Sequence, residues 1–171
     1  MKKTLLQKIV LLMAFTLPCV CANAQQMVSA KTALDVYTAN TLENAQRVLQ
    51  AQGYTYHGKN TQGYHYWCKN CSVTPAFKPT AFTKGTSSIV SFKIGEELKI
   101  QVFNQKAVDD YYDQLERMGL SWMGAGTGVE MVIYEYNPGY PKLSLVIGQG
   151  LAYKELKGYF LSIYGEIAAS E

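Results

Sequence analysis

Twice in this chain an amphipathic helical stretch ends in a glycine and runs directly into an aromatic strand pair, and this recurrence restricts the folds open to it. The first stretch spans 40–53. Asn40 is placed to cap its start, with Glu43 spaced to bond back. Ala45, Val48, Leu49 and Gln52 mark one face, and Gly53 supplies the stop. The second spans 104–119. Asn104 is the cap, Val108, Tyr111, Tyr112, Leu115 and Met118 form the apolar stripe, and Gly119 ends it.

With Gly53 set on Gly119, Leu49 meets Leu115, Tyr54 meets Leu120, Tyr56 meets Trp122, Gly58 meets Gly124, and Tyr66-Trp67 falls on Val132-Ile133. Farther on, Val90–Gly95 matches Leu143–Gly148, and Ile100–Phe103 matches Leu161–Tyr164. The blocks keep their order while their spacing drifts, as two copies of one unit with different loop insertions would. Val90, Phe92 and Ile94 alternate with polar residues, as do Leu98, Ile100 and Val102. Leu143, Leu145 and Ile147 share a phase, and so do Tyr159, Leu161 and Ile163. Period-two alternation means strands with one covered face. The short links Gly95-Glu96 and Asn137-Pro138-Gly139 favour antiparallel hairpins.

The expected fold is therefore α+β: two tandem helix–strand–strand–strand units, 40–103 and 104–165, sharing one core. They form an antiparallel sheet of about six strands with two helices packed on one face. Residues 25–39 show no clear period and are expected to form an irregular segment; the small residues of 26–39 suit a loop, a frayed helix or an edge strand. Ser72–Ser87, with Pro75, Phe77, Lys78, Pro79, Phe82 and Lys84, is an insertion in the first unit; Gln149–Gly158 is one in the second.

The N-terminus has the layout of a secretory signal peptide: Lys2 and Lys3, an apolar run from Ile9 to Leu17, Pro18, and the small residues Ala22-Asn23-Ala24 before a cleavage point. The run is too short to span a bilayer, which takes about 20 residues. The expected product is an exported chain, periplasmic or extracellular, beginning at Gln25. Lys2, Lys3 and Lys8 account for the whole formal charge of +3, so the exported part is neutral. It lacks the basic face of a nucleic-acid binder, and no second apolar stretch is long enough to cross a membrane. It keeps two cysteines, Cys68 and Cys71, which an oxidising compartment pairs.

Candidate chemistry is sparse. Trp67-Cys68-Lys69-Asn70-Cys71 has thioredoxin-type spacing, but such chemistry needs a helix N-terminus to lower the thiol pKa. A strand leads in here, and a structural disulfide is the expected role. His57, His65, Cys68 and Cys71 could hold zinc by ligand type, but their spacing lacks the paired pattern of zinc motifs. No metal or other cofactor is expected. Gly124–Gly128 follows a helix and precedes a strand, the reverse of a phosphate loop. Asp109, Asp110, Asp113 and Glu116 are ordinary helix-surface charges. Glu130 and Glu135 face opposite ways on a strand and do not form an acid/base pair.

Thirteen tyrosines remain to be explained. Tyr54, Tyr56, Tyr64, Tyr66 and Trp67 cluster on one hairpin, and Tyr134, Tyr136 and Tyr140 on its counterpart. Such rings give rigid contact area with a polar tip. The leading expectation is an exported, non-catalytic binding module. It would engage a protein, or alternatively a glycan, through an aromatic sheet face or hairpin loops. The alternatives are a small exported hydrolase or thiol-redox protein using His57, His65, Cys68 or Cys71, and a structural cell-envelope component. Intact-mass measurement of the protein recovered from its own cells is expected to give a chain starting at Gln25. Retention of Met1–Ala24 would refute export by this route.

Overall fold

The computed structural model describes residues 27–74, 79–82, 85–125, 132–135, 142–153 and 156–166. Residues 1–24, expected to be a signal peptide, lie outside them. The elements run α1 (Ala30–Ala39), α2 (Leu42–Ala51), β1 (Thr55–Lys59), β2 (His65–Lys69), β3 (Cys71–Val73), β4 (Pro79–Phe82), β5 (Ser88–Lys93) and β6 (Glu97–Val102). Then follow α3 (Gln105–Arg117), β7 (Ser121–Ala125), β8 (Val132–Glu135), β9 (Lys142–Tyr153) and β10 (Leu156–Glu166). The fold is α+β.

Eight strands form one antiparallel sheet in the order β1-β2-β5-β6-β10-β9-β8-β7, rather than the six expected. Strand-to-strand hairpins build each side outward, and the two sides meet where β10 pairs with β6, from Tyr159 opposite Val102 to Tyr164 opposite Glu97. The extra strands come from the segments after the glycine stops. Each forms a two-stranded hairpin, β1–β2 and β7–β8, so each side of the sheet has four strands where the expected unit has three. Ser72–Ser87 contributes a separate two-stranded ribbon, β3–β4. Gln149–Gly158 is not an inserted loop: β9 and β10 stay paired as far as Tyr153 opposite Leu156.

There are three described helices instead of two. The stretch expected to be irregular folds as α1, capped by Ser29, whose hydroxyl accepts from the Thr32 N–H. Its buried stripe, Ala30, Ala33, Leu34 and Tyr37, does recur at helical spacing opposite the exposed Lys31 and Asp35, but two of its four positions are alanines, which mark an apolar face only weakly. Asn40 does not begin α2. It ends α1 in the left-handed conformation at φ 51°, which asparagine tolerates better than most residues, and its side chain accepts from the Gly95 N–H at 2.6 Å. Thr41 caps α2, accepting from the Asn44 N–H. Asn104 caps α3 as its sequence position implies.

The glycine stops act alike in α2 and α3. Gly53 has φ +83° and Gly119 φ +77°, and the next residue's N–H returns to the last turn: Tyr54 to the Leu49 carbonyl at 3.0 Å, Leu120 to Leu115 at 3.1 Å. A side chain at such φ clashes with its own carbonyl, so glycine is favoured in this closure.

One buried cluster joins Leu34, Val36 and Tyr37 of α1, Ala45 and Leu49 of α2, and Val108, Tyr111 and Leu115 of α3 to one phase of the strands. That phase comprises Val90 and Phe92 of β5, Leu98, Ile100 and Val102 of β6, Leu161 and Ile163 of β10, and Leu145 and Ile147 of β9. α1 ties the parts together. The Tyr37 hydroxyl donates to the carbonyl of Gly165 in β10 at 2.7 Å and lies 3.2 Å from that of Glu96, in the turn that leads into β6. Gln114 of α3 accepts from the Ala30 N–H, and Tyr111 donates to the Val28 carbonyl. Phe92 is fully buried against Tyr37. Phe92→Ala is expected to cost about 3–5 kcal/mol in urea unfolding, while Lys31→Ala on the exposed side of α1 stays within about 0.5 kcal/mol. A Phe92→Ala loss below about 1 kcal/mol would contradict this packing.

Candidate functional site

Strand alternation divides the aromatic hairpin between two faces. Tyr56 stands opposite Trp67 across β1–β2, and His65 shares their phase. Trp67 is fully buried in the core and Tyr54 almost so, so neither offers a ring to a partner, contrary to the sequence expectation. The Trp67 indole N–H has no hydrogen-bond partner among the described residues. The Tyr54 hydroxyl bonds to Ser88 and lies 3.4 Å from the Val28 N–H, and the Lys69 ammonium sits 5.5 Å from its ring centre. Tyr56 is half-buried, its ring 5.1 Å from that of Trp67.

Tyr64 and Tyr66 lie on the other side. Tyr66 pairs with Ser91, Ser91 with Lys99, and Lys99 with Ser162, which sets these residues on the outer face, away from the core phase. A parallel row runs Lys93, Glu97, Tyr164, Ser144. Another runs Cys68, Ile89, Gln101, Phe160, Gly148. One end of this outer face is covered. Phe82 of the β3–β4 ribbon packs on Phe103 with ring centres 4.1 Å apart, and Cys68 and Ile89 are buried beside it. The other end is half-open.

Glu97 organises the open end. Its carboxylate accepts from Ser162, from Lys99 at 3.1 Å and from the Tyr64 hydroxyl at 3.1 Å. Burial alone would raise its pKa. The Ser162 hydrogen bond, the Lys99 charge and the Tyr64 hydroxyl outweigh that and hold it below the usual carboxylate range. Burial pushes the Tyr64 and Tyr66 hydroxyls up, and the Glu97 charge adds to this, so both keep their protons. Lys93 bridges to Glu96 at 2.6 Å and lies 5.9 Å from the Tyr64 ring centre; Lys99 lies 5.2 Å from that of Phe160. Tyr66 is oriented by the Asn60 amide at 3.2 Å. Tyr164, at 39 % exposure, is one of two exposed large hydrophobic residues described.

The expected reactive residues do not converge. His57 is exposed, and His65 is buried with Nδ1 2.7 Å from the Tyr56 hydroxyl. Cys68 and Cys71 are joined as a disulfide across the turn at Asn70. No group of three metal-ligating side chains occurs among the described residues. In the acidic run, Asp110 pairs with Lys106 and Asp113 with Arg117 one turn away. Of the second aromatic group, Tyr134 lies in β8 opposite Leu145, while Tyr136 and Tyr140 lie outside the described residues, as do Gly126–Gly128 and Glu130.

Sequence reasoning missed Phe160, Tyr164, Glu97, Lys99 and Lys93. The available signal was Tyr159–Tyr164, where the phase opposite Tyr159, Leu161 and Ile163 also carries two rings. A strand with apolar side chains in both phases has work for both faces. Among the described residues no helix is long and apolar enough to cross a membrane. Comparison with known protein families, characterised proteins and solved structures finds no match for the chain.

Burial, with the Lys59 charge adding to it, lowers the His65 pKa, so the folded chain favours the neutral ring. The unfolded chain then binds more protons below the ordinary value of 6.5, and stability contributed by His65 is complete above 6.5 and declines as pH falls below it. Glu97 acts in the same direction lower down, below the ordinary carboxylate value of 4.5. Urea midpoints of wild type are therefore expected to fall between pH 7 and 5, with a smaller fall in His65→Gln. Equal slopes in the two proteins would remove His65 as the cause.

Proposed function

We propose that the chain is an exported, non-catalytic binding module that uses the outer face of its sheet to hold a partner in the cell envelope or outside the cell. The observation that carries this reading is the construction of that face. Tyr64, Tyr66, Phe160 and Tyr164 are half-buried or exposed; Glu97 holds the Tyr64 hydroxyl, the Asn60 amide holds that of Tyr66, and the Lys99 ammonium lies over the Phe160 ring. Rings held this way lose little conformational freedom on binding, so more of each contact appears as affinity. Ionic networks that merely solubilise a surface have no need of aromatic rings among them.

The same reading takes the domain as a duplicated unit of one helix and four strands, with the helices on one face. It is supported by the sheet order, by α2 and α3 each preceding an outer hairpin, and by the matching closures at Gly53 and Gly119. Duplication followed by pairing at β6–β10 would leave one continuous outer face, with the core on the other side.

The test is capture from the protein's own envelope fraction with the exported chain as bait. Wild type is expected to retain a partner that Phe160→Ser/Tyr164→Ser loses, with the thermal midpoint of the double variant within a few degrees of wild type. Equal retention by both proteins would sink this face as the binding surface.

A further inference from the structure

Resting on the export part of that reading, we infer that the exported chain carries pyroglutamate at its first residue, Gln25, and that this cap shields the docked strap behind it. Cleavage after Ala24 gives Gln25 the free α-amine. An N-terminal glutamine holds that amine one ring closure away from its own side-chain amide. The α-nitrogen attacks Cδ, the new N–Cδ bond closes a five-membered lactam, and the Cδ–Nε2 bond breaks. The amide nitrogen leaves as ammonia, taking the proton that the α-nitrogen loses. Nothing is oxidised or reduced, and no co-reactant is consumed. The attacking form is the unprotonated amine, and an α-amine with a pKa of about 7.7–8.0 holds a usable fraction of it near neutral pH. Cleavage one residue later would free Gln26, with the same outcome.

Residue type makes the cap possible, and the fold gives it a use. Only Gln25, Gln26 and Met27 precede Val28 in the exported chain, and Val28 is buried. Its N–H lies 3.4 Å from the Tyr54 hydroxyl, and its carbonyl accepts from the Tyr111 hydroxyl at 2.9 Å. Two residues on, the Ala30 N–H donates to Gln114 Oε1 at 2.8 Å. Met27 packs against the same core. Tyr54 follows α2, while Tyr111 and Gln114 belong to α3, so the strap ties the two sides of the domain together.

This tie sits close to the end of the exported chain. An exopeptidase working inward from Gln25 would reach Met27 after two steps and Val28 after three. Loss of Val28 would strip the buried Tyr111 hydroxyl of its acceptor, and a buried polar group left without a partner is costly. Chain ends are where proteolysis concentrates. Aminopeptidases grip a free α-amine, and the lactam has neither that amine nor its charge.

The experiment is mass spectrometry of the protein recovered from the exported fraction of its own cells and cut after Lys31. A synthetic, isotope-labelled peptide Gln25–Lys31 is added at lysis and registers any cyclisation during handling. The expected N-terminal peptide is lighter than Gln25–Lys31 by one ammonia, while the labelled peptide keeps its full mass. The protein is then treated with a broad aminopeptidase beside Gln25→Asn, whose side chain is one carbon too short for this ring. Both are expected to share one thermal midpoint beforehand. Afterwards wild type keeps its N-terminus and its midpoint, while Gln25→Asn loses its first residues and its midpoint falls. A peptide Gln25–Lys31 of full mass overturns the inference and leaves export standing. A chain that retains Met1–Ala24 overturns export and the inference together. Equal resistance of the two proteins, or trimming of Gln25→Asn with no fall in its midpoint, overturns the shielding role. None of these outcomes depends on the outer face, which the capture experiment tests separately.

Discussion

The pairing of β6 with β10 is the constraint on which the rest of the structure depends. It joins two groups of four strands into one sheet, and it places Leu98, Ile100 and Val102 beside Ile163, Leu161 and Tyr159. A four-stranded antiparallel sheet with one helix encloses little apolar surface, and small units of that size are marginal alone. Joined at the seam, the two groups present a single apolar phase wide enough to bury residues from three helices. Tyr37 of α1 reaches across this seam, to the backbone of Gly165 in β10 and of Glu96 in the turn before β6. The helix therefore restrains the joint as well as covering it.

The seam also creates the outer face. Glu97 and Lys99 belong to β6 and Ser162 to β10, so their network exists only because these strands are neighbours. A half-buried carboxylate normally carries a desolvation cost, and here donors from both sides of the seam offset it. Tyr64 joins from the loop before β2. The outer surface is thus held in place by the interaction that builds the core. At the other end the Cys68–Cys71 bond and the Phe82–Phe103 contact hold the β3–β4 ribbon against the sheet. What remains open is the region around Tyr64, Tyr164 and Phe160.

Much of this fold was legible in the residues. The helices ending at Gly53 and Gly119 announced themselves through their stripes and stops, because a helix half in water must keep polar and apolar sides apart. The alternations in β5, β6, β9 and β10 did so for the same reason. α1 was not legible, since two of the four positions of its buried stripe are alanines, Ala30 and Ala33, which give a weak apolar signal. Asn40 misled because a residue that accepts hydrogen bonds and tolerates positive φ suits either end of a helix. The aromatic hairpin was recognised as a cluster but not as two populations. Only the register of β1 on β2, with its irregularity between Tyr56 and Gly58, assigns Trp67 to the interior and Tyr66 to the outside.

The sequence by itself determined the elements with one wet side, the antiparallel hairpins and the pairing of its two cysteines, because local periodicity and short links fix these within a few residues. Tertiary structure decided the rest: the number of strands in one sheet, the place of α1 and the identity of the outer-face residues. Lys93, Glu97, Lys99, Phe160, Ser162 and Tyr164 are ordinary solvent-phase residues on separate strands. They become one surface only when β6 and β10 come together, and contacts between segments that far apart leave no local pattern in the chain.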